Sequence, residues 1–144
     1  MEDCIFCQII AGVAPASVVY SDEEIMVIMD IQPVNPGHAL VIPKAHVAQL
    51  SELDRRIGGT MFQTAMRVAQ AIRQTSTVCE GINLLLADGE VAGQEIFHVH
   101  LHIIPRIPGD GFRIKFGPHY TSKPDRKKLD KMSERIRETL HKES

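Results

Sequence analysis

Hydrophobic and polar positions alternate with a period of two in several short stretches of the chain and with a helical period in one long one. Val18 to Tyr20 and Ile25 to Met29 read as two strands around the turn residues Ser21 to Glu24. Pro33, Asn35, Pro36 and Gly37 mark a loop, followed by the apolar strand Ala39 to Ile42, which Pro43 ends. From Leu53 to Gln74 the period lengthens: Ile57, Met61, Phe62, Ala65, Val68, Ala69 and Ile72 fall on one helical face. Gly58 and Gly59 weaken the first turn, which predicts a helix start nearer Thr60. Gly81 to Ala87 and Phe97 to Pro105 are two further strands. A short helix is predicted from Cys4 to Ala11, closed by Gly12, and a last one from a Ser122 cap to about His141. Strands and helices do not alternate regularly. The expected fold is therefore α+β, a mostly antiparallel sheet of about five strands with one long helix on it and helices at the termini.

Composition narrows the picture. The 144 residues suit one domain with a real core, divided here into a core to residue 112 and a helical C-terminal extension, 113–144. A net charge of −2 makes no electrostatic case for a nucleic-acid partner. Lys and Arg crowd the last third, but Asp125, Asp130, Glu134 and Glu138 are interleaved, as on a solvated helix face. No apolar run approaches a membrane span and no secretory leader is visible, so a cytoplasmic protein without a membrane partner is expected. The three cysteines include a Cys4-x-x-Cys7 pair, which in that compartment suggests metal or redox chemistry.

Candidate chemistry concentrates in Phe97-His98-Val99-His100-Leu101-His102-Ile103. In a strand the three histidines share one face at spacings of about 7 Å, while Val99, Leu101 and Ile103 take the other. Three desolvated imidazoles on one face would each need partners. Two uses remain open on the residues alone: a metal site built from two or three rings, or nucleophilic catalysis by one ring supported by its neighbours.

His98-Val99-His100-Leu101-His102-Ile103-Ile104 resembles the histidine triad (HIT) signature in every position. Cys4-Ile5-Phe6-Cys7 with Ile9-Ile10, Asp30-Ile31, Gly37-His38-Ala39-Leu40-Val41-Ile42-Pro43-Lys44-Ala45-His46 and Gly93-Gln94 extend that resemblance in order. It implies a HIT-like fold, a homodimer, and a nucleotide hydrolase that cleaves at the α-phosphorus of a purine nucleotide. The product would be a nucleoside monophosphate, the substrate a phosphoramidate or a dinucleoside polyphosphate. By the same resemblance His100 is the nucleophile, His102 serves the phosphate and leaving group, and His98 orients. Gly93 and Gln94 lie by the phosphate, Ile5, Phe6, Ile9, Ile28 and Ile31 hold the base, and Asp30 takes the ribose hydroxyls.

The resemblance also implies a structural zinc at Cys4, Cys7, His46 and His98. The competing reading makes the cysteines small buried hydrophobes and His46 only a hydrogen-bond partner of His98. Two positions depart from the pattern. Ala87 stands where relatives often carry a polar residue, and Glu95 where a hydroxyl is common; both bear on leaving-group preference. They lend weight to an alternative, a zinc-braced nucleotide-binding or interaction protein with little turnover. Cys79, His38, His119 and His141 receive no chemistry.

Overall fold

The structure, a computed structural model, describes residues 3–143. Five strands form one antiparallel sheet: β1 (Val18–Ser21), β2 (Ile25–Met29), β3 (Ala39–Pro43), β4 (Gly81–Leu85) and β5 (Leu101–Arg106). Their spatial order is β1-β2-β3-β5-β4. The central strands are apolar on both faces because both faces are covered. Ile25, Val27, Ala39, Val41, Leu101 and Ile103 share one core with Met61, Ala65, Val68 and Ile72 of the long helix α2 (Arg55–Gln74). Met26, Ile28, Leu40 and Ile42 form the opposite core with Phe6 of the short helix α1 (Ile5–Ile10). Pairing of Val27 with Val41, Leu40 with His102 and Ala39 with Ile103 keeps the parity of the strands in step.

Several boundaries differ from the pattern-based expectation. Helix α2 begins at Arg55 rather than near Thr60, because the Asp54 carboxylate caps it, accepting from the N–H groups of Arg56 (2.8 Å) and Ile57 (3.2 Å). Such a cap contributes about 1 kcal/mol, enough to offset a glycine in the first turn. Phe62 is half exposed instead of buried: it lies about 100° around the helix from Met61, off the stripe that meets the sheet. β4 ends at Leu85, short of Ala87.

The strand expected from Phe97 makes ladder bonds only from Leu101. β3 pairs with it only from Ala39 to Val41, although β3 itself runs on to Pro43, and the backbone–backbone bond made by residues 98–100 is Val99 N–H to Val47 O at 2.8 Å. The side-chain alternation persists through them regardless, with Val99 in the α2 core and His98 and His100 on the other face.

Gly37, at φ 97°, lets the loop before β3 pass Pro105, whose Cγ would lie 3.3 Å from an added Cβ. The chain resolves into two compact units, up to Gly111 and from Phe112 onward. In the second, α3 (Arg126–Glu143) is capped by Asp125, which accepts from Lys128 N–H at 2.9 Å, not by Ser122. Pro124 disfavours helical backbone at Lys123 and so excludes the earlier start. Among the described residues no helix is long and apolar enough to cross a membrane.

Candidate functional site

The sheet register assembles the site on the face turned away from α2. Leu40 pairs with His102, and Met29 pairs with Ala39, which brings Asp30 beside His38; Asp30 N–H donates to His38 O at 3.0 Å. His98, His100, His102, His38 and Asp30 therefore share the parity of Met26, Ile28, Leu40 and Ile42. Phe6 stands edge-on to His98 and to His100, with ring centroids at 5.8 and 5.1 Å. The His100 and His102 rings approach to 4.9 Å, closer than the roughly 7 Å of an ideal strand, because the side chains lean together.

Hydrogen bonds to backbone groups assign the ring protons. His98 Nε2–H donates to Pro43 O (2.7 Å), leaving Nδ1 bare. His100 Nδ1–H donates to His98 O (2.8 Å), leaving Nε2 bare. His38 Nδ1 accepts from Val34 N–H (3.0 Å), so its proton sits on Nε2 and is donated to His102 Nδ1 at 2.9 Å. His102 then carries its own proton on Nε2. Asp30 Oδ2 lies 3.4 Å from His38 Nε2 and 3.9 Å from His102 Nδ1. Burial is the main reason that His102 titrates low, at about 4, with His100 and His38 adding to the effect and Asp30 opposing it. Burial also lowers His38, against the pull of Asp30, and lowers His98, against its bond to Pro43.

At the other end of the triad four soft donors meet at one point. Cys4 Sγ and Cys7 Sγ lie 3.4 and 3.6 Å from His98 Nδ1, Cys7 Sγ lies 3.2 Å from His46 Nδ1, and the two Nδ1 atoms are 3.2 Å apart. Tetrahedral zinc with bonds of about 2.0–2.1 Å to nitrogen and 2.3 Å to sulfur needs donor separations of roughly 3.3 Å between nitrogens to 3.8 Å between sulfurs. The donor set and the bare Nδ1 of His98 fit that ion, and both cysteines are free thiols. Burial, followed by the neighbouring Cys4, pushes the Cys7 thiol up, a cost that metal ligation removes.

Asp30, His38 and His102 are also close enough together to suggest an ion. Their hydrogen bonds argue otherwise: Val34 N–H holds the His38 proton on the very nitrogen that would have to ligate. The group is a polarised relay.

The remaining expected residues are distributed as follows. Ile28 and Phe6 are buried, Ile9 is half-buried, and Ile5 and Ile31 are exposed, Ile31 at 92%. Asp30 Oδ1 accepts from Gln32 N–H at 2.8 Å. Gly93 closes a short turn at φ 93°. The buried Gln94 amide braces that loop, donating to Ala48 O and Ile96 O and accepting from Gly89 N–H. Ala87 is half-buried. Glu95 is exposed and, with Asp3, Ile5 and Phe97, lines an open cavity of about 420 Å³ that reaches Cys4 and His46.

Sequence reasoning missed His38. The available signal was its parity with Leu40 and Ile42, but the register that sets it beside His102 is not written locally. It also missed Asn35, whose buried amide donates to Pro105 O and Asp110 Oδ2, both at 2.8 Å, and so holds the loop leading into His38.

Comparison with known proteins agrees with this geometry. A family model, the HIT domain, matches residues 11–109. Protein hit of Bacillus subtilis is 44% identical over 119 residues, 82% of this chain and 81% of its own. The adenylylsulfatase HINT3 of Arabidopsis thaliana is 40% identical over 109 residues, 76% of this chain and 55% of its own. A Zn-bound histidine triad family protein from Mycobacterium smegmatis superposes with a TM-score of 0.74 at 34% identity, covering 99% of both chains. With its three alternating histidines on one face of a five-stranded antiparallel sheet, the chain belongs to the histidine triad family.

Proposed function

We propose that the chain is a nucleotide hydrolase that works through a nucleotidyl–histidine intermediate at His100. One observation carries the reading: the bond from His100 Nδ1–H to His98 O leaves a bare Nε2 beside the Nε2–H of His102. His100 Nε2 attacks the α-phosphorus of a purine nucleotide and the bond to the leaving group breaks. His102 Nε2–H donates to a phosphate oxygen or to the leaving atom as charge builds there. Water then cleaves the phosphorus–nitrogen bond and releases the monophosphate. Asp30 accepts from the ribose hydroxyls, Ile5, Phe6, Ile9, Ile28 and Ile31 enclose the base, and the Gly93-Gln94 loop borders the phosphate.

Cys4, Cys7, His46 and His98 would hold a zinc ion whose coordination they fill. Bound there, it supplies cross-linking of α1 to the triad segment and offers no open position for substrate. Metal-bound and free thiols suit a reducing compartment, the cytoplasm. The activity named for the Arabidopsis relative, on an adenylyl sulfate, supports a substrate with a single adenylyl group carrying a replaceable leaving group. Phosphoramidates share that plan, and dinucleoside polyphosphates are the competing class.

Turnover of an adenosine phosphoramidate and of a diadenosine polyphosphate by the pure protein tests this. His100→Ala should lower kcat/KM by at least about 10³-fold while adenosine monophosphate still binds. Binding without turnover of either substrate by the unmodified protein would instead establish a zinc-braced nucleotide-binding protein.

A further inference from the structure

The loop that carries Asn35 is fastened to the far end of the triad strand by a buried polar network. Asn35 Nδ2 donates to Pro105 O and to Asp110 Oδ2, both at 2.8 Å, so both of its amide protons are used. Asp110 is paired with Arg106 through two bonds, from Nε to Oδ2 at 2.7 Å and from Nη2 to Oδ1 at 2.8 Å. Arg106 in turn donates from Nη1 to Asn83 Oδ1 of β4 at 2.7 Å. The side chain of Asp110 is buried and that of Arg106 half-buried. Such an ion pair adds little net stability, and its use here lies in what it holds in place.

What it holds is a turn. His38 N–H donates back to Asn35 O at 3.1 Å across Pro36 and Gly37, the residue order of a type II turn, with Gly37 at φ 97°. Gly37 packs on the Pro105 ring while Asn35 is bonded to the Pro105 carbonyl, so two contacts fix the turn to the strand end. Val34, one residue before Asn35, supplies the N–H that His38 Nδ1 accepts at 3.0 Å.

The His38–His102 pair has two self-consistent proton arrangements. In one, His38 Nε2–H donates to His102 Nδ1 and the His102 proton lies on Nε2. In the other, His102 Nδ1–H donates to His38 Nε2, the His38 proton lies on Nδ1, and His102 Nε2 is bare. The same 2.9 Å contact serves both and does not choose between them. Val34 N–H chooses, because in the second arrangement it would face another N–H. Asp30 Oδ2, 3.4 Å from His38 Nε2, favours the same choice.

We propose that Asn35, anchored by Asp110 and Arg106, is a positioning residue: it holds Val34 N–H against His38 and thereby keeps the His102 proton on Nε2. Its effect on turnover rests on the hydrolase reading, in which that proton serves the phosphate or leaving group. Its effect on the protons does not.

Nitrogen NMR of the full chain, labelled at histidine and held near neutral pH, separates bare from protonated ring nitrogens. In the unmodified protein His38 and His102 should both carry their proton on Nε2. Asn35→Ala should move Nδ1 of both rings away from the bare-nitrogen position and lower kcat about tenfold with KM little changed. Asp110→Asn keeps one oxygen for Asn35 but loses one of the two Arg106 bonds, so the same shifts should appear at smaller size. His98 and His100, bonded to Pro43 O and His98 O, are controls in the same spectrum and should not move. Unchanged His38 and His102 nitrogens in Asn35→Ala overturn the proposal. So does displacement of all four rings together in both variants, which a purely structural role would give. If Asn35→Ala does not fold, Asp110→Asn decides alone: shifts confined to His38 and His102 uphold the proposal, and none overturns it. Those shifts in a protein that turns over no nucleotide uphold the proton assignment and overturn the hydrolase.

Discussion

Two histidine clusters flank His100, built from the same residue type on the same sheet face, and they are chemically opposite. Around His98 the protons point away from the cluster: Nε2–H goes to Pro43 O, and the bare Nδ1 faces two thiols and a second Nδ1 at 3.2 Å. Around His102 the protons point along a line, from Val34 N–H through His38 to His102. The first converges lone pairs on one point, as a metal requires. The second lines up donors and acceptors from ring to ring, His38 Nε2–H to His102 Nδ1. Proximity alone does not separate them; which backbone group touches each ring does.

The comparison breaks most sharply at the metal. Cys7→Ala removes one of four converging donors. Zinc content measured by mass spectrometry should fall from about one per chain to near zero, and stability by about 2–4 kcal/mol, seen in urea unfolding. A wild-type protein purified without chelator and free of zinc would remove the metal side of the contrast.

The relay side responds to His38. His38→Ala leaves the His102 tautomer unfixed, and kcat should fall about 10–100-fold with KM little changed and zinc content intact. His38→Gln, whose amide N–H can still donate to His102, should recover part of that loss. Equal losses of zinc in both variants would show that the clusters are not independent.

The smallest expected effect is a pH dependence. His102 titrates at about 4 in the folded chain, below the ordinary value near 6.5. The unfolded chain therefore binds more protons between those values, and stability contributed by the neutral ring is present above about pH 6.5 and lost as pH falls toward 4. Imidazole shifts followed by NMR should show His102 neutral at pH 5.5. A midpoint near 6.5 would contradict a buried relay.

Much of this was legible in the chain. Strict alternation from His98 to Ile103 placed the three rings on one face even where no ladder bonds form, because the parity of an extended backbone is local. The family resemblance carried by Cys4-x-x-Cys7 and the ordered neighbours of the triad pointed to the Cys4, Cys7, His46 and His98 cluster that the fold brings together. Helix α2 was legible in its stripe but not in its start, since the Asp54 cap competes with Gly58 and Gly59 by amounts of similar size. Phe62 was misplaced because its hydrophobicity says nothing of the direction from which the sheet approaches.

Alternation, helical period and motif order are written in neighbouring residues, so the sequence by itself determined the elements, the shared face of the triad and the family. Tertiary structure decided which group each ring is bonded to. His38 meets His102 across 64 residues and His98 meets Pro43 across 55. Those pairings follow from strand register, and register depends on the packing of the whole sheet. A ring's tautomer is set by the one backbone group that folding brings against it.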